Sequence, residues 1–334
     1  MTESAAPQRP ATGAKGPRQL VPTDYAYAEV GKLDPEGKGD AFYDIVPGRI
    51  VALSARVRRL TAPNPSYMTG PGTNSYLVGA AGEDVAVIDP GPPEPSHIEA
   101  LVAAAAANAR DGRGGRVRWI LATHTHRDHS PGAALLAAKT GAEVIGLPPP
   151  AGGSQDDSFR PGHVVKDGER IALSGCTLRV IHTPGHASNQ CCYLLEEEKL
   201  LFTGDHIMQG STVVINPPDG DMAVYIAALR KLLPEDLEWL APGHGFLIGN
   251  PRRAVELLIT HRLGREKKVL DKLRNLGSAS VDELVPWAYD DVPPQIHQWA
   301  MRSLLAHLIK LQGDGQVSET NGRWQPRQAG RTGG

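Results

Sequence analysis

Seven consecutive residues, Thr123-His124-Thr125-His126-Arg127-Asp128-His129, constrain this chain more than any other segment. They follow an apolar, strand-like run at 117–122 and precede a helical run at 131–140. Imidazole is the commonest neutral metal ligand, and a carboxylate adds a hard anionic oxygen. Alternate side chains of extended backbone share a face, so His124 and His126 point the same way. Asp128 and His129 come about one turn later and can face a second ion. The chain therefore has to fold with a strand end opening onto a cation site.

Three later segments extend this set. His186 lies in Thr183-Pro184-Gly185-His186, Asp205 in Thr203-Gly204-Asp205-His206, and His244 in Ala241-Pro242-Gly243-His244-Gly245. Each follows a strand-like run and contains glycine, which lets backbone approach a crowded centre. Seven ligands suit two metals with one bridging carboxylate and room for water. Two cations sharing a water bring its pKa from about 15.7 toward neutrality, so hydroxide is available to attack a carbonyl or phosphorus centre. A metal then stabilises the developing oxyanion.

The constellation resembles the metallo-β-lactamase superfamily: the HxHxDH motif stands at His124–His129, with His186, Asp205 and His244 following in order. The resemblance covers roughly residues 45–250. It implies an α/β (mixed α+β) fold, a four-layer αβ/βα sandwich with the site at one edge. It puts His124, His126 and His186 on one metal, and Asp128, His129 and His244 on the other, with Asp205 bridging. Asp128, His129 and Asp205 are the ligands assigned to catalysis. Two zinc ions are the implied cofactor, and iron or manganese also occupy such sites. Asn64-Pro65, the run Gly72-Thr73-Asn74-Ser75-Tyr76-Leu77-Val78 and Val87-Ile88-Asp89-Pro90-Gly91 narrow the resemblance to the β-lactamase-like protein 2 group. That group ends in a small winged-helix domain. It includes single-strand-directed endoribonucleases, and related fungal proteins release thioester-bound polyketides from carrier proteins. The chain departs from the group at Ser130-Pro131-Gly132, where Gly-Gly is usual. Pro131 suits the first turn of a helix, so the metal loop is expected to survive.

A length of 334 residues sets a prior of two domains. Residues 1–40, rich in Pro, Gly, Ala and charge, read as a flexible arm. Residues 41–250 mix hairpin-like strand pairs with helices and read as the catalytic domain; 49–60 reads as one strand. Residues 251–276, 281–288 and 294–311 read as helices. Asn321-Gly322 between strand-like residues predicts a type I′ hairpin over 316–325. Three helices and a hairpin across 251–326 outline a winged helix, with 327–334 as a tail.

The net charge of −2 and an aromatic content of 5% argue against a surface given over to nucleic acid. Three cysteines, Cys176, Cys191 and Cys192, form no disulfide framework and read as reduced thiols, with the Cys191-Cys192 pair as buried packing. The start has no secretory pattern, and no apolar run approaches a membrane span, so a cytoplasmic protein without membrane contact is expected. Asp89 is assigned to holding a ligand loop or a histidine ring. Asn189, Tyr67 and His206 are candidates for substrate contact or for supporting the ligands, and Met68 stands beside Tyr67 in the loop before Gly72. On 251–276, Arg252, Arg253, Arg262, Arg265, Lys267, Lys268, Lys272 and Arg274 outnumber the acids, which offers RNA a contact or simply forms a solvated face.

The function expected is a dinuclear metal-dependent hydrolase using a metal-bridging hydroxide on an ester or thioester, with acyl groups on coenzyme A or a carrier as partners. The alternatives are an endoribonuclease acting on single-stranded RNA and a DNA-binding regulator with a non-catalytic metal site. Substrate, metal and oligomeric state stay open at this point.

Overall fold

A computed structural model describes residues 45–152 and 155–327. The arm predicted at 1–40, and the tail after residue 327, lie outside the described residues.

Two sheets stack face to face. The first has seven strands in the order β1 (Ile50–Ala52), β2 (Val57–Thr61), β3 (Asn74–Val78), β4 (Val85–Ile88), β5 (Val117–Leu121), β6 (Glu143–Gly146) and β7 (His163–Val164). Its pairs are antiparallel from β1 to β4 and parallel from β4 to β7. The second sheet lays β8 (Arg170–Leu173), β9 (Cys176–His182), β10 (Cys191–Leu195), β11 (Leu200–Gly204), β12 (Trp239–Pro242) and β13 (Ile248–Gly249) side by side in that order. The run 49–60, read as one strand, is instead a hairpin. Ser54 Oγ accepts from the amides of Arg56 and Val57, closing a tight turn that pairs Ile50 with Leu60.

The period-2 alternation of strands builds four layers. Tyr76, Ile88 and Leu121 face Leu178, Tyr193 and Phe202 between the sheets. On the outer face of the first sheet, Leu77, Val87 and Ile120 meet Ile98 and Leu101 of α1 (Pro95–Ala106) and Leu136 of α2 (Gly132–Thr140). On the outer face of the second, Ile181, Cys192 and Leu201 meet Tyr225 and Leu229 of α3 (Met222–Lys231) and Leu258 of α4 (Pro251–Leu276). Cys191 and Cys192 thus pack on opposite faces. Burial pushes the Cys192 thiol up to about 12, so it is no nucleophile.

Helix α4 serves two cores. Ala254, Val255 and Leu258 in its first half pack on the second sheet. Val269, Leu270 and Leu273 in its second half pack with α5 (Val281–Ala288), α6 (His297–Gly313) and the hairpin β14 (Val317–Thr320)–β15 (Arg323–Pro326). Ser280 and Glu283 form a capping box at the start of α5. Asn321 and Gly322 both take positive φ, as a type I′ turn requires. Among the described residues no helix is long and apolar enough to cross a membrane.

Buried hydrogen bonds lock the sheets together at one edge. Asn74 Nδ2 donates to Pro242 O (3.1 Å) and Gly245 O (2.8 Å), and the Asn74 amide donates to Gly243 O (2.7 Å). Tyr76 Oη donates to Pro242 O, and Tyr193 Oη to Ala122 O. Asn74→Ala removes donors from two carbonyls that flank His244. It is expected to cost about 1–3 kcal/mol, read as a lower urea midpoint of the metal-free protein. An unchanged midpoint would show that the two sheets are held at this edge by packing alone.

Candidate metal centre

The strand ends explain the placement of every candidate ligand. Residues 123–129 follow β5, His186 follows β9, Asp205 follows β11 and His244 follows β12, all at the edge that Asn74 locks. His124 Nε2 and His186 Nε2 each lie 2.9 Å from His126 Nδ1. His129 Nε2 lies 3.4 Å from Asp128 Oδ2, and His244 Nε2 lies 3.2 Å from the same oxygen. Asp205 stands between the two groups. Its Oδ1 is 3.4 Å from both His129 Nε2 and His244 Nε2, and its Oδ2 is 3.7 Å from His186 Nε2.

The outer nitrogens reveal which inner ones carry lone pairs. His186 Nδ1 bonds Val214 O at 2.9 Å and His244 Nδ1 bonds Gly72 O at 3.2 Å. A carbonyl only accepts, so both Nδ1 atoms carry a proton and both Nε2 atoms face inward, that of His186 as a lone pair and that of His244 as one once its own proton leaves. Asp89 does the same for two more rings. Its carboxylate accepts from the Thr123 amide (2.7 Å), Thr123 Oγ1 (2.8 Å) and His129 Nδ1 (2.9 Å). Thr123 Oγ1, its proton spent on Asp89, accepts from His124 Nδ1 at 3.1 Å. Beneath Asp89, Ser75 Oγ donates to the Asp89 carbonyl and contacts His97 Nε2 at 2.9 Å. Sequence reasoning assigned nothing to His97. The Gly72 and Val214 carbonyls were equally beyond it, since any residue carries one.

The centre fits divalent cations. His129 Nε2 and Asp205 Oδ1 are buried with no hydrogen-bond partner. Three overlapping sets of ligand atoms, His124–His126–His186, His124–His129–Asp205 and Asp128–His129–His244, each gather within 4.8 Å. Glycine makes the crowding possible. A Cβ on Gly243 would stand 2.6 Å from His129 Cε1 and 2.7 Å from Asp205 Oδ1. Without cations the charges sort themselves. Burial opposes a charge on His244, but Asp205 and Asp128 raise it to about 9. The same carboxylates, with Asp89, hold His129 well above its usual value despite burial. Burial, with His186 next, drives His126 down to about 3.

The remaining candidates divide. Tyr67 lines the cavity above the centre, stacked on Trp299 with ring centroids 5.0 Å apart. Asn189 points away from it, donating to Thr125 Oγ1 (2.7 Å) and Pro148 O (3.1 Å), and so braces the loop between His124 and His126. His206 is fully buried, edge-on to Tyr225, and burial takes it down to about 3. Ser130 donates to Asp156, and Gly132 donates to Gly91 O, so the unusual Ser-Pro-Gly closes tightly onto the Asp89 turn. The cavity, about 1010 Å³, also takes in Met68, Met208, Gln155 and Asp219, and its far wall comes from α4 and α6.

Two outcomes follow. Asn at position 89 can accept on one oxygen only, so Asp89→Asn should weaken metal binding about 10–100-fold in a chelator competition, and unchanged affinity would remove Asp89 from the site. A cation bound by His244 must displace its proton at any pH below about 9. Affinity should therefore climb as pH rises from 6 to 8.5, with proton release on binding, and a flat profile would contradict the assignment.

Residues 68–244 match the metallo-beta-lactamase superfamily, and residues 280–324 match the beta-lactamase associated winged helix domain. An atrochrysone carboxyl ACP thioesterase of Aspergillus chevalieri is 31% identical over 80% of this chain and 84% of its own length. The lactamase-like protein vrtG of Penicillium aethiopicum is 32% identical over 80% of this chain and 85% of its own. A beta-lactamase-like protein 2 homolog of Caenorhabditis elegans is 29% identical over 80% and 88%. Among solved structures, a beta-lactamase domain protein from Burkholderia ambifaria superposes with a TM-score of 0.71 at 20% identity, covering 86% of this chain and 96% of that one. With two stacked sheets, an edge that gathers His and Asp side chains and a winged-helix extension, this chain belongs to the metallo-β-lactamase superfamily of hydrolases.

Proposed function

We propose that this protein is a dinuclear metal-dependent thioesterase acting on acyl groups carried by a pantetheine-type arm. The observation that carries the reading is the cavity. It runs from Asp128, His186, Asp205 and His244 along an apolar wall of Tyr67, Met68, Met208, Val292 and Trp299, giving space to an acyl chain beside the ligands. The thioesterases among its relatives act on acyl groups of a carrier protein, which agrees with that shape.

His124, His126 and His186 would hold one cation and Asp128, His129 and His244 the other, with one oxygen of Asp205 toward each. Zinc suits this nitrogen-rich set. Divalent ions bound there supply Lewis acidity, which acidifies water and polarises a carbonyl oxygen. The chain's own groups then position and exclude. Asp89, Val214 O and Gly72 O fix the ring planes. Tyr67 and Trp299 cover the acyl group. Beside the ligands, Asp219 accepts hydrogen bonds from Gln155 and Ser188. A departing thiolate, with a thiol pKa of about 8.5, needs no proton donor, whereas an alkoxide does, so a thioester asks less of the site than an ordinary ester.

The basic helix gives RNA little to hold. Arg252 pairs with Glu256, Lys267 and Arg274 with Asp271, and Lys268 and Lys272 with Asp290. Arg265 forks onto Asp291, and Arg262 lines the cavity and not the outer face of the helix. The winged helix is equally committed. In α6, the helix before the hairpin that would read a DNA groove, Trp299 and Ser303 face the cavity.

Metal-loaded protein should hydrolyse acyl-pantetheine thioesters, and Asp205→Ala, purified in parallel, should lose at least about 100-fold in kcat/KM. Cleavage of a fluorescent single-stranded RNA that disappears in the variant, with every thioester untouched, would replace this reading with a ribonuclease.

A further inference from the structure

The far wall of the cavity holds charge that the metal centre does not use. Arg262 on α4 is only 3% exposed and lines the cavity. Its Nη2 donates to Val213 O at 2.5 Å, and its guanidinium lies 5.2 Å from the centroid of the Tyr225 ring. Its Nε has no hydrogen-bond partner, and among the described residues no carboxylate forms an ion pair with it. Arg265, one turn on, is matched by Asp291 at 2.7 Å. Tyr289 lines the same cavity, and its hydroxyl is buried and without a partner. Exposed Arg302 on α6 completes the wall. A buried guanidinium without a counter-charge is costly, and an anion from outside relieves the cost.

We propose that Arg262, Tyr289 and Arg302 form an anion subsite for the phosphate of a phosphopantetheine arm, the arm common to coenzyme A and to acyl-carrier thioesters. The proposal rests on the thioesterase reading and adds the group by which the substrate is held. The chemistry of the arm selects phosphate. Between thioester and phosphate the arm is uncharged, so the phosphate is the one formal anion it brings into the cavity. A carrier protein cannot enter about 1010 Å³, so the arm has to leave past the rim, where the exposed Arg302 stands. The segment 213–215 links this subsite to the metals. Val213 O accepts from Arg262, Val214 O holds His186, and the Ile215 amide donates to Ser303 Oγ at 3.1 Å. An arm anchored at Arg262 is thereby in register with the ligand that faces its thioester.

Titration calorimetry with 4′-phosphopantetheine and with pantetheine tests the proposal on both metal-free and metal-loaded protein. The thiol is common to the two ligands, so their ratio isolates the phosphate. Wild-type protein should bind the phosphorylated arm about tenfold or more tightly than pantetheine. That preference should shrink toward unity in Arg302→Ala and in Arg262→Met, and should weaken with added salt. If Arg262→Met fails to fold, the exposed Arg302→Ala decides alone. Equal affinities in the wild type, no measurable binding of the phosphorylated arm, or a preference that survives Arg302→Ala, overturns the subsite. Turnover of acyl-phosphopantetheine is read separately: a phosphate preference without hydrolysis sinks the thioesterase and leaves the subsite standing. Competition between coenzyme A and a phosphopantetheinylated carrier protein then shows which source of the arm the rim accepts.

Discussion

Crowding of ligand atoms at one sheet edge is the constraint on which the rest of this structure depends. Three overlapping sets of His and Asp atoms each gather within 4.8 Å, and without a cation the carboxylates of Asp128 and Asp205 hold His129 and His244 above their usual pKa. The fold meets this with rigidity outside the centre. Four histidines are pinned through Nδ1 to Asp89, Thr123, Val214 O and Gly72 O. Each pin costs the chain freedom before a metal arrives, so the cation meets a site already shaped. The same demand explains Gly243, where any Cβ would displace His129 or Asp205.

Asp89 shows how far the constraint reaches. It sits at the end of β4 with φ at 52°, a conformation uncommon for a residue with a side chain. Its three accepted hydrogen bonds hold it there and join β4 to the segment after β5. Ser75 and His97 add a second tier from β3 and α1, so three strands and a helix of the first sheet converge on one ring, His129. The opposite ligand, His186, depends on the loop at 213–215 instead, and that loop is gripped from α4 and α6. One half of the centre is thus supported from within the sandwich, and the other half partly from the winged-helix side.

This asymmetry explains what could be read from residues alone. The seven candidate ligands could be named from residues alone, because each is a side chain with a metal-ligand chemistry at a strand end, and four of them fall in one short segment. The strands and helices around them were legible from apolar periodicity, and the helix bounds at 251–276 and 281–288 agree with α4 and α5 to the residue. The β1–β2 hairpin was missed because its turn, at Ser54, interrupts a run of apolar and basic residues without Gly or Pro. The basic helix stayed ambiguous in the sequence because its counter-charges, Asp290 and Asp291, stand some twenty residues along the chain and reach back only after α5 folds against α4. Backbone carbonyls such as Gly72 O and Val214 O carry no residue identity, so no pattern announces them.

Placing the ligands on strand ends and the cavity wall on helices separates two tasks. Strand ends are held by ladders on both sides, which suits atoms that have to stay within tenths of an ångström of one another. Tyr67 and Trp299 can change without disturbing that ladder, because they stack on one another, whereas Arg262 and Ser303 of α4 and α6 also hold the loop at 213–215. A superfamily built this way can keep one hydrolytic centre and exchange what it accepts, since fold and function sit in different residues. In this chain the cavity wall carries apolar side chains, Tyr67, Met68 and Trp299, together with two arginines, Arg262 and Arg302. An acyl chain joined to a neutral arm that ends in a phosphate would present both an apolar and an anionic part to such a wall.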